Sequence, residues 1–323
     1  MRKKRVVRQR KKSFFSFLRC GDIAITLILG VVVLGAIILA GGIFPELDDS
    51  KVNMDDVGEV DLTSVPTNQN GKSLKIETFK FKKCSDQAAI DFLIDTSGSM
   101  AFDGGVKLAN LKQAMQNFAA NFNDKTAVGI RRFSSTNDSG LPPTSRLVPI
   151  DFYSKNRSAY NQTVNSLSAN FGTMTRTAFS AELDDLRAAV ANTKFNTYNF
   201  NLIFFTDGIP ETGENNKICP GSIGGPSCTA SPTTGKCRCF DPNEDPTAGS
   251  NISAEIKSLV SGGGKNVRIF SIVIISAADE HFRSKIENMM KTITTDPATD
   301  YFLANDATDF KAIFKSISQK ICT

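Results

Sequence analysis

From residue 88 onward, short apolar runs alternate with stretches whose large apolar residues recur at helical spacing. That alternation confines the chain to an α/β fold, a mostly parallel sheet wrapped by helices, because strands buried on both faces read as continuous apolar runs. Residues 88–94 form the first such run and end in Asp95. Leu111, Met115, Phe118 and Phe122 mark one face of a helix starting near Gly105. Residues 127–133 are the next strand, followed by a loop containing Pro142 and Pro143, and Phe179, Leu183, Leu186 and Val190 mark a second helix. Residues 200–205 form a buried strand ending at Thr206-Asp207-Gly208; residues 267–275 are the most β-branched strand, and 301–304 a last short one. Phe310, Ile313, Phe314, Ile317 and Ile321 line a closing helix. No internal repeat is present.

The first 20 residues hold nine Lys or Arg and no acid, and removing those nine from the formal net charge of +5 leaves −4 on the rest of the 323-residue chain. A basic tail on a mildly acidic body argues against nucleic acid as a partner. Residues 23–44 then run without a charge. About 20 apolar residues suffice to cross a bilayer as a helix, and basic flanks stay on the cytoplasmic side. The expected organisation is a basic cytoplasmic tail (1–22), a transmembrane helix (23–44), an extracytoplasmic linker with possible strands at 73–82 (45–83) and a folded domain (84–323) on the cell surface or in the periplasm. A secretory signal cleaved after Ala40 is the alternative, although tail and apolar run are both long for one.

Cys20 precedes the membrane run, and six cysteines follow it: Cys84, Cys219, Cys228, Cys237, Cys239 and Cys322. An even count in an oxidising compartment points to disulfides. Four lie in one irregular insertion, 212–250, and two bracket everything between them, which favours Cys84–Cys322 with two bridges inside the cluster. A zinc site is the rival for the cluster; Cys237-x-Cys239 is unusual spacing for zinc and no histidine is near.

The sharpest chemical signal is Asp95-Thr96-Ser97-Gly98-Ser99-Met100, directly after a buried strand. One carboxylate and two hydroxyls at alternate positions of a tight turn can converge on a small hard cation, Mg²⁺, Mn²⁺ or Ca²⁺. The plain alternative is a polar loop capping the following helix. Phe171-Gly172-Thr173 opens the loop before the second helix, and Asp207 ends another apolar strand. Ligands of open α/β sheets bind beyond the carboxyl ends of the strands, where strand order reverses.

These three segments resemble the metal-ion-dependent adhesion site of von Willebrand factor type A domains, which uses D-x-S-x-S, a distant Thr and a later Asp in this order. The resemblance covers about residues 88–321. It implies a Rossmann-like, doubly wound, mostly parallel six-stranded sheet with helices on both faces. It also implies one divalent cation, Mg²⁺ first, held by Asp95, Ser97, Ser99, Thr173 and Asp207. An open position on that ion would accept an acidic side chain of a protein ligand. The family usually has a second glycine where this chain has Phe171, and Thr175 and Thr177 follow closely, which makes Thr173 the least secure match. The family's chain ends meet opposite the metal, which agrees with a Cys84–Cys322 bridge.

Other signals fall away. Asp241-Pro242-Asn243-Glu244-Asp245 lacks the glycine and the closing glutamate of an EF-hand. Gly262-Gly263-Gly264-Lys265 precedes a strand rather than a helix, so it is a turn and not a phosphate cradle. His281 is the only histidine, expected at the surface, and Ser97 and Ser99 have no nucleophile context, so no enzyme is expected. The expected function is metal-dependent adhesion or surface and pilus assembly; the plan is similar to TadG-like proteins and to minor pilins carrying this domain, although Thr26 stands where a prepilin processed after Gly21 would have Glu. A structural envelope protein with a vestigial metal site is the runner-up.

Overall fold

The computed structural model describes residues 83–135, 142–169, 172–211, 239–276 and 279–322. The tail, the membrane run, the strands expected at 73–82, Phe171, Cys219, Cys228 and Cys237 lie outside them. Among the described residues no helix is long and apolar enough to cross a membrane.

Among the described residues six strands form one sheet: β1 (Ala88–Asp95), β2 (Ala127–Phe133), β3 (Thr144–Phe152), β4 (Asn199–Thr206), β5 (Arg268–Ile274) and β6 (Tyr301–Ala304), in the order β3-β2-β1-β4-β5-β6. All neighbours are parallel except β2 and β3. Among the described residues six α-helices cover the sheet: α1 (Val106–Ala119), α2 (Tyr153–Ser166), α3 (Thr175–Val190), α4 (Ile252–Ser258), α5 (Arg283–Ile293) and α6 (Phe310–Ile321).

Strand alternation sorts the core into two layers. Ile90, Phe92 and Ile94 of β1, with Ile203 and Phe205 of β4, pack against Leu111, Met115 and Phe118 of α1, Tyr160 of α2 and Phe314 of α6. Ala89 and Leu93, with Leu202 and Phe204, face Phe179, Leu183 and Leu186 of α3, Ile256 of α4 and Met290 of α5. The six-stranded, doubly wound α/β arrangement is thus present, with helices on both faces.

The pair β3 and α2 occupies a stretch where periodicity pointed only to a loop. β3 is an antiparallel edge strand in which Val148 alone is buried, so it lacks an apolar run. Pro149 is tolerated there because an edge strand need not donate on its open side. A register shift near Val128 disturbs the ladder, and Asn156 Nδ2 of α2 donates to the carbonyls of Val128 (2.9 Å) and Pro149 (2.6 Å).

Cys84, just before β1, is disulfide-bonded to Cys322, just after α6, across 238 positions of sequence. Cys239 is also in a disulfide. Pairing within the rest of the cluster lies outside the described residues.

Candidate metal centre

Strand order reverses at β1, whose C-terminal end is flanked by β2 on one side and β4 on the other. Asp95 is the last residue of β1. Thr96 fixes the turn that follows, its N–H and hydroxyl both donating to the Phe133 carbonyl at the end of β2 (2.8 and 2.9 Å). The Ser97 N–H donates to Asp95 Oδ1 (2.7 Å), an Asx-type closure that turns the chain back on the carboxylate. Ser97 Oγ and Ser99 Oγ lie 2.9 Å apart, and Ser99 Oγ donates to Asp207 Oδ1 at 2.6 Å. Thr206, at the end of β4, donates its hydroxyl to Asp95 Oδ2 (2.6 Å).

Asp95, Ser97, Ser99 and Asp207 are therefore one buried, hydrogen-bonded cluster, although Asp207 is 108 residues from Ser99. Burial, and then the neighbouring Asp207, push the Asp95 carboxyl up to about 6, against the hydrogen bonds from Thr206 and Ser97. Desolvation and the nearby Asp207 both favour the neutral form of Asp95, and a cation beside it would favour the charged one.

Thr173 reaches the same end of the sheet by backbone bonds. Its N–H donates to Glu211 O and its carbonyl accepts from Glu211 N, both at 2.8 Å, while Met174 N donates to Ser134 O (3.2 Å). Gly172 N donates to Ser135 Oγ (2.8 Å). Ser134 and Ser135 follow β2 and Glu211 follows β4, so the strap bridges the two strands beside β1. A Cβ on Gly172 would lie 2.6 Å from the Glu211 carbonyl oxygen, so this close approach requires glycine. The Thr173 hydroxyl is fully buried and has no hydrogen-bond partner among the described residues, a cost of roughly 1–3 kcal/mol that a ligand would relieve.

Two carboxylates and three hydroxyls are hard oxygen donors, and they fit a small divalent cation. Among the described residues no group of three or more His, Cys, Asp or Glu converges on a metal position. One residue that the motif did not point to joins the cluster. Lys107, in the first turn of α1, donates Nζ to Asp207 Oδ2 at 2.7 Å and reaches the Ser99 carbonyl at 3.5 Å. Its signal was available in the helix register: Lys107 stands four residues before Leu111, on the apolar face, where a charge needs a partner.

The run 241–245 turns its side chains to local donors. Asp241 accepts from Asn243 N (2.9 Å) and Asp245 from the N–H and hydroxyl of Thr247 (2.9 and 2.6 Å). Glu244 accepts from the N–H and hydroxyl of Thr177 (3.1 and 3.0 Å) in the first turn of α3, where the helix dipole favours an anion. Arg176 beside it donates to the carbonyls of Asp245, Ala248 and Ser250, so the described end of the cysteine-rich insertion is clasped to the helix that follows Thr173. His281 is half-buried against Phe282, not at the open surface as expected, and its ring nitrogens have no hydrogen-bond partner among the described residues.

A doubly wound sheet with an oxygen-rich cluster at the carboxyl end of a central strand defines an α/β domain of the Rossmann-like kind. The von Willebrand factor type A domain matches residues 90–316, and the chain belongs to that family. Several solved structures are similar to this chain. Proximal thread matrix protein 1 from the mussel byssus has a TM-score of 0.48 at 14% identity, with 74% of this chain and 48% of that one covered. The pilus adhesin SpaC from Lactobacillus rhamnosus GG has a TM-score of 0.49 at 21% identity, with coverages of 75% and 31%. The vWF domain of the type V pili tip protein Mfa5 from Porphyromonas gingivalis has a TM-score of 0.48 at 15% identity, with coverages of 72% and 94%. The chain thus spans about half of the mussel protein and about a third of the pilus adhesin. No curated protein sequence matched.

Proposed function

We propose that this chain is a non-catalytic, metal-dependent protein-binding module. Asp95, Ser97, Ser99, Thr173 and Asp207 hold one divalent cation, Mg²⁺ by preference with Mn²⁺ or Ca²⁺ as substitutes, and an acidic side chain of a protein partner completes its coordination. The bound ion supplies an electrophilic centre with an open position. The chain's own part is to present oxygens in fixed places: the Thr96 bonds pin the turn, Thr206 orients Asp95, and the Glu211 pairing sets Thr173. The observation that carries the reading is the run of hydrogen bonds from Asp95 through Ser97 and Ser99 to Asp207, together with a buried, unsatisfied Thr173 hydroxyl at the same end of the sheet. The uncharged run 23–44 behind a basic tail supports a single-pass anchor with the domain outside the membrane, and with it a role in adhesion or in surface and pilus assembly.

One observation favours the runner-up, an envelope or minor-pilin protein whose metal site is vestigial: Lys107 already neutralises Asp207. Calorimetric titration with Mg²⁺ and Mn²⁺ separates the two. Saturable binding by the wild type that disappears in Asp95→Ala supports the metal reading; identical traces support the vestigial one. Pull-down from the native cell envelope should then retain a partner in Mg²⁺ and release it in EDTA.

A further inference from the structure

Among the described residues Lys107 is the one cation built into a cluster whose other charged members are carboxylates. We propose that it is a tethered counter-cation: its ammonium holds the ion-free centre together and must leave Asp207 for a divalent ion to bind, so that Lys107 sets the ion affinity of the site. The proposal rests on the metal reading given above.

Four observations carry it. The ammonium lies 2.7 Å from Asp207 Oδ2, while Asp207 Oδ1 accepts from Ser99 Oγ at 2.6 Å, so both oxygens of that carboxylate already have partners within the chain. Lys107 is almost completely buried, its side chain 7% exposed, and a buried ammonium is tolerated only when paired. It stands in the first turn of α1, where the helix dipole disfavours a positive charge, so the dipole does not account for a lysine there. Its neighbour Val106 is half exposed, and the turn before it is formed by Gly104 and Gly105 at φ 74° and 78°, left-handed angles that suit glycine. The flexible four-carbon stem of lysine lets the ammonium move away from Asp207 without displacing the helix.

Charge balance makes the displacement obligatory. One ammonium against Asp95 and Asp207 leaves a surplus negative charge. A divalent ion in its place neutralises both carboxylates, whereas an ion added beside it would leave a buried surplus positive charge and two cations at close range. The centre therefore exchanges one cation for another, and it keeps its shape between partners because the ammonium stands in. A monovalent ion gains nothing by the exchange, so the same residue selects for divalent ions.

The test uses the full chain with Mn²⁺ as the probe, comparing wild type, Lys107→Met and Asp95→Ala by calorimetry and by thermal melting in EDTA and in saturating Mn²⁺. Lys107→Met should melt below wild type in EDTA, match it in Mn²⁺, and bind Mn²⁺ roughly tenfold or more tightly, the worth of one charge-assisted hydrogen bond. Unchanged or weaker binding overturns the proposal. Should Lys107→Met not fold, acetylation of wild-type lysines by acetic anhydride, read by mass spectrometry, gives the answer: modification of Lys107 should rise on adding Mn²⁺ relative to the other lysines, and a constant rate overturns the exchange. Wild type that binds no more Mn²⁺ than Asp95→Ala sinks the metal reading and this proposal together; binding that Lys107→Met does not strengthen sinks this proposal alone.

Discussion

Asp95 loses its water on folding and receives in exchange the Ser97 N–H and the Thr206 hydroxyl. Thr206 contributes no oxygen to the proposed ligand set, yet it decides where the carboxylate points. Thr206→Val, which keeps the β-branched shape, should cost about 1–2 kcal/mol in urea unfolding and weaken Mn²⁺ binding in calorimetry. Four of the five oxygen-bearing residues named from the sequence meet in one hydrogen-bonded cluster, and they stood out because D-x-S-x-S is compact and Asp207 closes an apolar strand. Thr206 and Lys107 were harder to see, since a strand-end threonine and a helical lysine are common residues whose partners come from other elements.

At the level of elements, the strap carrying Thr173 and the sheet edge beside α3 hold the most strain-sensitive contacts. Gly172→Ala would push a methyl group against the Glu211 carbonyl, so the two-residue bridge must open. The expected result is a loss of about 1–3 kcal/mol by denaturant unfolding, and weaker Mn²⁺ binding because Thr173 moves with the bridge. Under β1, Arg131 of β2 and Arg146 of β3 meet Asp91, Glu182 and Asp185, with Arg146 2.6 Å from Asp91 Oδ1 and 2.9 Å from Glu182 Oε2. Two guanidinium groups cannot neutralise three carboxylates, and burial, followed by Asp91, pushes Glu182 well above the usual carboxylate range. A carboxyl whose folded value is raised contributes stability that is complete below its unfolded value of 4.5 and is lost as pH rises through the folded value. Glu182→Gln keeps the neutral form, so its unfolding free energy should fall less with rising pH than that of wild type, as urea titrations from pH 4 to 8 would measure. Periodicity found the helix carrying Glu182 but not its charge pairing, because β3, the strand supplying Arg146, has no apolar pattern of its own.

Across the whole molecule, the proposed ion site and the Cys84–Cys322 bridge lie at opposite ends of β1. Eight residues of strand separate them by roughly 25 Å. The bridge closes almost the entire described domain into one loop, and limiting the freedom of the unfolded chain in this way is worth about 5 kcal/mol in the chain-entropy treatment. The double variant Cys84→Ser/Cys322→Ser should lose up to that amount by calorimetric unfolding while binding Mn²⁺ with wild-type affinity. A large drop in affinity would show that closing the far end shapes the site.

Local pattern was enough for the fold class, the central strands, the principal helices and the bracketing disulfide, because each depends on spacing along the chain: apolar period, and cysteines outside everything else. Tertiary structure alone decided the partners that arrive from distant elements, namely Lys107 on Asp207, Thr206 on Asp95, Glu211 against Thr173, and Arg146 from an edge strand on Asp91 and Glu182. A buried charge or hydroxyl shows in sequence as one polar letter, and what satisfies it is set by which strands become neighbours in space.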